Sequence, residues 1–66
     1  MKPYWVEVKR AAKDRRRVIG YTVFKADDGN RYGKVIKNWP ITKTRSAEVA
    51  LFLANGLRDD LNAGID

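Results

Sequence analysis

The chain contains no cysteine and no histidine. It can therefore form no disulfide bond, and it lacks the ligands of a structural zinc site, the thiol nucleophile and the commonest general base. An absence of cysteine fits a reducing compartment, so we expect a cytoplasmic location. From these absences we also expect that the protein is not an enzyme and has no catalytic residue, no metal, no cofactor and no small-molecule substrate.

Long apolar runs are also missing from the sequence. The longest apolar stretch, residues 49–54, is far shorter than the roughly 20 residues of a membrane-spanning helix. Residues 1–4 lead into an alternating segment and not into the apolar region of a signal peptide. The sequence therefore predicts neither a membrane span nor a secretion signal, and we expect no membrane partner.

Acidic residues are scarce in about the first two-thirds of the chain, and this scarcity polarises the charge. Residues 1–45 carry 13 basic and 4 acidic side chains, a net charge of +9, whereas residues 46–66 carry 1 basic and 4 acidic side chains, a net charge of −3. The densest segment is residues 9–17, here called the basic loop. A field of this kind attracts polyanions, of which nucleic acid is the commonest in a cell. The alternative interpretation is a surface that only keeps the protein in solution.

A chain of 66 residues is expected to form one domain, residues 1–66, close to the lower limit for folding without a disulfide, a metal or a partner subunit. The apolar pattern predicts three strands, near residues 4–10, 17–26 and 31–39. Residues 4–10 alternate with a period of two, and the later segments are rich in β-branched and aromatic residues. In the first strand the alternation points two sets of side chains to opposite faces: Tyr4, Val6 and Val8 on one, and Trp5, Glu7 and Lys9 on the other.

The Asp28-Gly29 pair between the second and third strands predicts a hairpin, because glycine adopts the positive φ that tight turns favour. A bulged turn that pairs Ala26 with Asn30 gathers the apolar residues best. It places Ile19, Tyr21, Val23, Val35 and Trp39 on the core face, and Thr22, Phe24, Tyr32, Lys34 and Ile36 on the solvent face. A plain two-residue turn is the alternative, and it moves part of this set to the opposite face.

Residues 43–63 are predicted to form a helix, because Ala47, Ala50, Leu51, Ala54, Leu57 and Leu61 recur at spacings of three and four. Thr42, Thr44 or Ser46 can cap its start, and Gly64 can end it in a left-handed conformation. The expected fold class is α+β, with a three-stranded antiparallel sheet packed against one C-terminal helix.

We expect the basic loop and the solvent face of the sheet to bind nucleic acid, since arginine can grip phosphate and aromatic side chains can stack on bases. The predicted contact residues are Lys9, Arg10, Lys13, Arg15, Arg16, Arg17, Lys25, Arg31, Tyr32 and Lys34. The alternatives are a solvated, disordered loop and simple cross-strand packing of Phe24 against Tyr32.

A second candidate contact is Phe52, which a helical wheel places opposite the apolar stripe among polar residues. An exposed aromatic there predicts a contact with a protein partner, such as an acidic protein, or with a second copy of the chain. The alternative is a tilt of the helix that buries Phe52 at the edge of the sheet.

The segment from Ile19 onward resembles the small arm-type DNA-binding domains at the N-terminus of phage integrases. The resemblance rests on Tyr21-Thr22-Val23-Phe24, the Asp28-Gly29 turn, Arg31-Tyr32-Gly33-Lys34, and Thr42 ahead of a helix with Glu48, and it spans about two-thirds of the chain. Such domains insert a three-stranded sheet into the major groove of DNA. The resemblance implies that Lys25, Arg31, Tyr32 and Lys34 lie on the docking surface, that DNA is favoured over RNA, and that a free-standing version is an accessory or regulatory factor of a phage or mobile element. The arginine-rich first loop departs from this pattern.

Overall fold

The protein folds as an antiparallel sheet of three strands with one helix on one of its faces. The computed structural model describes residues 3–64, and residues 1, 2, 65 and 66 of the predicted domain lie outside the described part. The strands are β1 (Tyr4–Arg10), β2 (Val18–Asp27) and β3 (Asn30–Pro40), in the spatial order β1-β2-β3, and the helix is α1 (Ala47–Asn62). The predicted α+β fold class is confirmed.

Strands β1 and β2 pair along the whole of β1, from Tyr4 opposite Lys25 onward, with one irregularity next to Lys9. Val6 pairs with Val23, which is fully buried, whereas Trp5 pairs with Phe24 on the opposite face. The period-two alternation therefore predicted the two faces of β1 correctly.

The turn between β2 and β3 is the plain two-residue turn and not the bulged one. Asp27 pairs with Asn30, so the predicted pairing of Ala26 with Asn30 is wrong. The Asp27 carboxylate holds the turn by accepting a hydrogen bond from the backbone N–H of Gly29 at 3.0 Å. The positive φ of this hairpin occurs at Gly33, at +83°, and not at Gly29. The side chain of Asp27, rather than a left-handed glycine, therefore stabilises the reversal.

Irregularities inside β3 then shift its register away from the predicted one. The observed pairs are Lys25 with Lys34, Phe24 with Val35, Val23 with Lys37, Thr22 with Asn38, and Tyr21 with Trp39. The predicted pairs of Tyr21 with Val35 and of Val23 with Gly33 are therefore wrong. The physical reason is that the apolar residues of β3 do not follow one period of two. A regular alternation that puts Val35 and Trp39 on one face puts Ile36 on the other. A bulge at Ile36 resets the alternation, so Val35 and Trp39, although four residues apart, lie on opposite faces of the sheet.

This register corrects the predicted faces of two residues in β3, Val35 and Lys34. Val35 lies opposite Phe24, on the face away from the helix, and is 57% exposed instead of lying in the core. Lys34 pairs with Lys25 and therefore points to the side of the sheet that carries the helix. Ile36 is the unpaired residue of the bulge and is partly exposed.

The helix begins at Ala47, four residues later than predicted. Thr42 and Arg45 exchange backbone hydrogen bonds of 2.9 and 3.3 Å, which close a separate turn, and the Thr42 hydroxyl accepts from the backbone N–H of Thr44. Threonine side chains that bond to nearby backbone compete with helix formation in this way. Ser46 is the actual N-cap, and its hydroxyl accepts from the backbone N–H of Val49 at 3.2 Å.

At the other end of the helix, Gly64 adopts a φ of +75°, as predicted. The helix lies closest to the sheet at two small residues, since Ala50 and Ala54 are fully buried together with Val23 of β2. Leu57 and Leu61 extend the same stripe and are half-buried, whereas Ala47 and Leu51 are exposed at its margins. Within residues 3–64, the single helix is too short and too polar to cross a bilayer.

Candidate nucleic-acid interface

The face of the sheet opposite the helix carries three rows of side chains that run across the strands. Because cross-strand partners share a face, the observed register sets each row. An aromatic and apolar row (Trp5, Phe24, Val35) is followed by a polar row (Glu7, Thr22, Asn38) and then by Lys9 beside Gly20. We call these side chains the open face.

The aromatic row is built around Trp5 and Phe24. Their rings stack with centroids 5.7 Å apart and an angle of 14° between the planes. The Trp5 ring reaches from β1 across β2 to Gly33 of β3, where a Cβ atom would lie only 2.5 Å from Cη2 of the indole. To span that distance, the indole must lie along the sheet instead of projecting from it. Gly33 therefore makes room for a flat aromatic surface.

The polar row is ordered by short hydrogen bonds. The Trp5 indole N–H donates to Oε2 of Glu7 at 2.6 Å, which ties the polar row to the aromatic one. The Thr22 hydroxyl donates to Oδ1 of Asn38 at 3.0 Å. Thr22 is only 7% exposed, so it forms the floor between Glu7 on one edge strand and Asn38 on the other.

An open groove lies over this polar row. Its volume is about 370 Å³, which is within the range of sites for small organic groups. It is lined by Glu7, Val8, Lys9, Thr22, Phe24, Val35 and Asn38. The groove thus combines an aromatic wall, a carboxylate, an amide and a lysine.

The basic loop joins β1 to β2 and is held in shape by its own hydrogen bonds. The backbone N–H of Ala11 donates to the carbonyl oxygen of Arg17 at 2.9 Å, and the Asp14 side chain accepts from the backbone N–H of Arg16 at 3.1 Å. The Arg10 guanidinium donates to the carbonyl oxygen of Arg15 at 3.2 Å. These contacts describe an ordered loop, in contrast to the alternative of a disordered one.

Within residues 3–64, no cation of the basic loop forms an ion pair with a carboxylate. Among the described residues the only ion pair joins Arg58 to Asp59, on the helix. All six basic side chains of the loop are exposed: Lys9, Arg10, Lys13, Arg15, Arg16 and Arg17. Lys9 also lines the groove, so the basic loop and the open face are continuous.

The remaining predicted contact residues lie at the opposite end of the sheet, near the turn between β2 and β3. The Arg31 guanidinium stacks over the Tyr32 ring at 4.9 Å, and Tyr32 is 68% exposed. Lys25 lies over the Tyr4 ring and pairs with Lys34 on the helix side of the sheet. Lys25 lies five residues along β2 from Gly20, the partner of Lys9, so this cluster is roughly 17 Å from the nearest cation of the basic loop. The ten predicted contacts thus form two clusters at opposite ends of the sheet.

Six side chains of the open face were not among the ten predicted contacts, namely Trp5, Glu7, Thr22, Phe24, Val35 and Asn38. The alternation of β1 did place Trp5 and Glu7 away from the core, and this signal could have identified them. The contact residues were predicted mainly from positive charge, and this criterion left out Trp5, which is aromatic, and Glu7, which is acidic. Asn38 precedes Trp39, which was expected on the core face, so the same alternation could have identified Asn38.

Phe52 lies on the outer side of the helix and is 76% exposed. The predicted exposure of this side chain is confirmed, and the alternative in which a helix tilt buries it is wrong. Val49, one turn earlier, is also exposed, so the two form a small apolar patch that faces away from the sheet.

Acidic side chains within residues 3–64 do not gather into a group of three or more that could hold a metal ion. The open face and the basic loop are therefore the features of the described chain with the most developed binding chemistry.

Comparisons with protein families, with curated proteins and with solved structures found no match to this chain.

Proposed function

We propose that this protein is a non-catalytic nucleic-acid-binding factor that prefers DNA to RNA and works as an accessory or regulatory component of a phage or mobile element in the cytoplasm. The observation that carries this proposal is the continuity between a basic loop that has no ion pair within residues 3–64 and an open face that carries stacked aromatic rings. Phosphate contacts from the loop would supply affinity, and the open face would meet bases or a groove.

The cations of the basic loop support the proposal because none of them has a carboxylate partner within residues 3–64 to give up on binding. An arginine already paired with a carboxylate must give up that pair before it contacts phosphate. In the basic loop each phosphate contact instead releases a counterion from the nucleic acid, which is the main source of salt-dependent affinity.

The test is a fluorescence-anisotropy titration with duplex DNA, single-stranded DNA and RNA at two salt concentrations. With about four phosphate contacts, affinity should fall roughly 100-fold between about 50 and 200 mM salt. A cationic peptide of equal net charge serves as the control. If the folded protein binds no more tightly than the peptide, the proposal is wrong.

A second candidate function is that of a small protein-interaction factor, such as a phage-type inhibitor or adaptor that binds an acidic protein. The exposed patch of Phe52 and Val49 favours it, since a large apolar side chain on an otherwise polar helix face is costly unless it is covered. A Phe52→Ser variant that keeps its fold but loses a protein partner bound by the wild type would support this function. Retention of every interaction would contradict it.

A further inference from the structure

The orientation of the aromatic side chains bears on the form of nucleic acid that the open face accepts. A sheet that reads a duplex inserts projecting side chains into the major groove. Here the Trp5 ring lies along the sheet over Gly33 and stacks on Phe24, whose ring lines the groove, so Trp5 does not project from the sheet as a groove-reading side chain does. Ring faces suit unpaired bases, which stack on aromatic side chains.

A carboxylate in the polar row of the open face also favours an unpaired base over a duplex. Glu7 lines the groove, and phosphate would be repelled there, so the backbone of a duplex gains nothing by approaching it. One carboxylate oxygen accepts from the Trp5 indole, and the other remains an acceptor. Its natural partner in a nucleic acid is the exocyclic amino group of a base, which cytosine, adenine and guanine carry and thymine and uracil lack.

The opposite wall of the groove supplies a donor. Asn38 uses its Oδ1 atom to accept from the Thr22 hydroxyl, so its amide N–H groups remain to donate. Glu7 and Asn38 stand on the two edge strands with β2 between them, so their backbones are about 10 Å apart. A flat base lying over Thr22 can therefore meet an acceptor on one side and a donor on the other.

The charges around the groove match a nucleotide in that position. Lys9 lines the groove next to the polar row and begins the basic loop, so a phosphate of the bound nucleotide would meet Lys9 and the arginines of the basic loop beyond it. Lys9 is thus placed to meet the phosphate of a single-stranded nucleotide, while Glu7 and Asn38 are placed to meet the edges of its base.

We infer that the groove of the open face binds one unpaired base of a single-stranded nucleic acid, stacked beside Phe24, and that Glu7 selects bases with an exocyclic amino group. This inference rests on the proposed nucleic-acid-binding function and names the form of the ligand. It makes Glu7 a specificity-determining residue.

The experiment measures affinities for short oligo(dC), oligo(dT) and oligo(rC) strands and for a mixed-sequence duplex of equal length. The wild type should bind oligo(dC) about tenfold more tightly than oligo(dT), as expected for one hydrogen bond to a charged group. Oligo(rC) distinguishes DNA from RNA as the source of the base. Oligo(dC) and oligo(dT) carry the same phosphate charge, so the ratio of the two affinities measures recognition of the base alone.

The Glu7→Gln variant decides the role of the carboxylate. Glutamine can still accept from the Trp5 indole, but its remaining amide group then donates instead of accepting. The ratio of affinities for oligo(dC) and oligo(dT) should fall to about one or reverse, because oligo(dC) loses its hydrogen bond to the carboxylate. Affinity for oligo(dT), which makes no such bond, should hold or rise because a negative charge is lost. A ratio that stays the same would overturn the inference.

The stacking partner is tested by Phe24→Leu, with Phe52→Ser as the matched control, since each removes one aromatic ring from the protein. Phe24→Leu should weaken oligo(dC) binding about tenfold or more, because a base–aromatic stack is lost, and Phe52→Ser should leave it unchanged. If Phe24→Leu fails to fold, the ratio measured with Glu7→Gln still decides the question.

The outcomes separate this inference from the proposed function. Duplex binding as tight as oligo(dC) binding, with no difference between the two deoxy strands, would overturn the inference and leave the proposed function standing. A lack of salt-dependent binding to all four ligands would overturn both.

Discussion

The six-membered ring of Trp5 on β1 lies over the backbone of Gly33 on β3, so close that a Cβ atom at residue 33 would be 2.5 Å from Cη2. This contact joins the two edge strands across β2 and helps to keep the indole flat on the open face. Gly33 also has a φ of +83°, a conformation that side-chain-bearing residues rarely adopt. Gly33 therefore meets two requirements. The bulged strand needs a residue that adopts a positive φ, and the Trp5 ring needs a residue without a Cβ beneath it.

We expect Gly33→Ala to destabilise the protein by about 2 kcal/mol or more, because the left-handed φ strains alanine and its methyl group clashes with the Trp5 ring. For a domain of this size the melting temperature should fall by roughly 10 °C. Thermal unfolding followed by circular dichroism measures the change.

The control is Gly56→Ala on the exposed side of the helix, where an added Cβ meets no atom within 4 Å. This change should stabilise the protein by about 0.5–1 kcal/mol, since alanine favours the helix. Equal effects of the two substitutions would contradict the role assigned to Gly33.

The side chain of Asn62 pairs with the backbone of Tyr4 and links the end of the helix to the edge of the sheet. Its Oδ1 accepts from the Tyr4 N–H, and its Nδ2 donates to the Tyr4 carbonyl oxygen, both at 3.0 Å. Compared with Asn55→Ala on the same helix, Asn62→Ala should cost a further 1–2 kcal/mol or so, since two part-buried hydrogen bonds are lost. Urea unfolding of both variants measures the difference, and no difference would show that these bonds contribute nothing.

The arginines of the basic loop should contribute to binding without contributing to stability. These arginines form no ion pair within residues 3–64. The Arg15→Gln/Arg16→Gln variant should therefore have a free energy of unfolding within about 0.5 kcal/mol of that of the wild type. The slope of log affinity against log salt should become shallower by about 2, if each arginine contacts one phosphate. Anisotropy titrations over a range of salt concentrations provide the slope.

The matched control removes two lysines outside the basic loop, Lys37 on the helix side of the sheet and Lys43 in the turn before the helix. Lys37→Gln/Lys43→Gln should leave the slope close to that of the wild type. If both double variants flatten the slope equally, the binding depends on net charge and not on the basic loop.

The exposed ring of Phe52 should be dispensable for folding. Phe52→Ser should change the free energy of unfolding by less than about 0.5 kcal/mol, since the ring is mostly in water and the two residues have similar helix propensities. Chemical unfolding measures this change. A loss of about 2 kcal/mol or more would mean that Phe52 packs inside the protein or in an obligate dimer.

Most of the fold could be predicted from the sequence because its signals are local. The alternation of residues 4–10, the Asp-Gly turn and the repeat of alanine and leucine gave the order of strands and helix. The pairing of β3 could not be predicted, since its bulges depend on how Val35, Ile36 and Trp39 compete for the two faces. The start of the helix was also missed, because the threonine turn before Ser46 resembles a helix start in sequence.

The candidate interface was less predictable than the fold. Charge identified the basic loop, whose place at the end of a hairpin follows from the order of the strands. The open face depends on the register of β3. The predicted register was wrong, so it placed Val35 on the core face and Lys34 on the solvent face. Glu7 and Asn38 became neighbours of one groove only once the three strands were aligned.

The central claim is that the basic loop and the open face together form a nucleic-acid-binding surface. The most direct measurement is a titration of ¹⁵N-labelled protein with single-stranded DNA, followed by backbone amide and indole N–H shifts. We predict that the amides of residues 9–17, the indole of Trp5 and the amides of Glu7 and Phe24 shift together, while those around Phe52 do not. Shifts centred on the helix, or none on the open face, would contradict the claim.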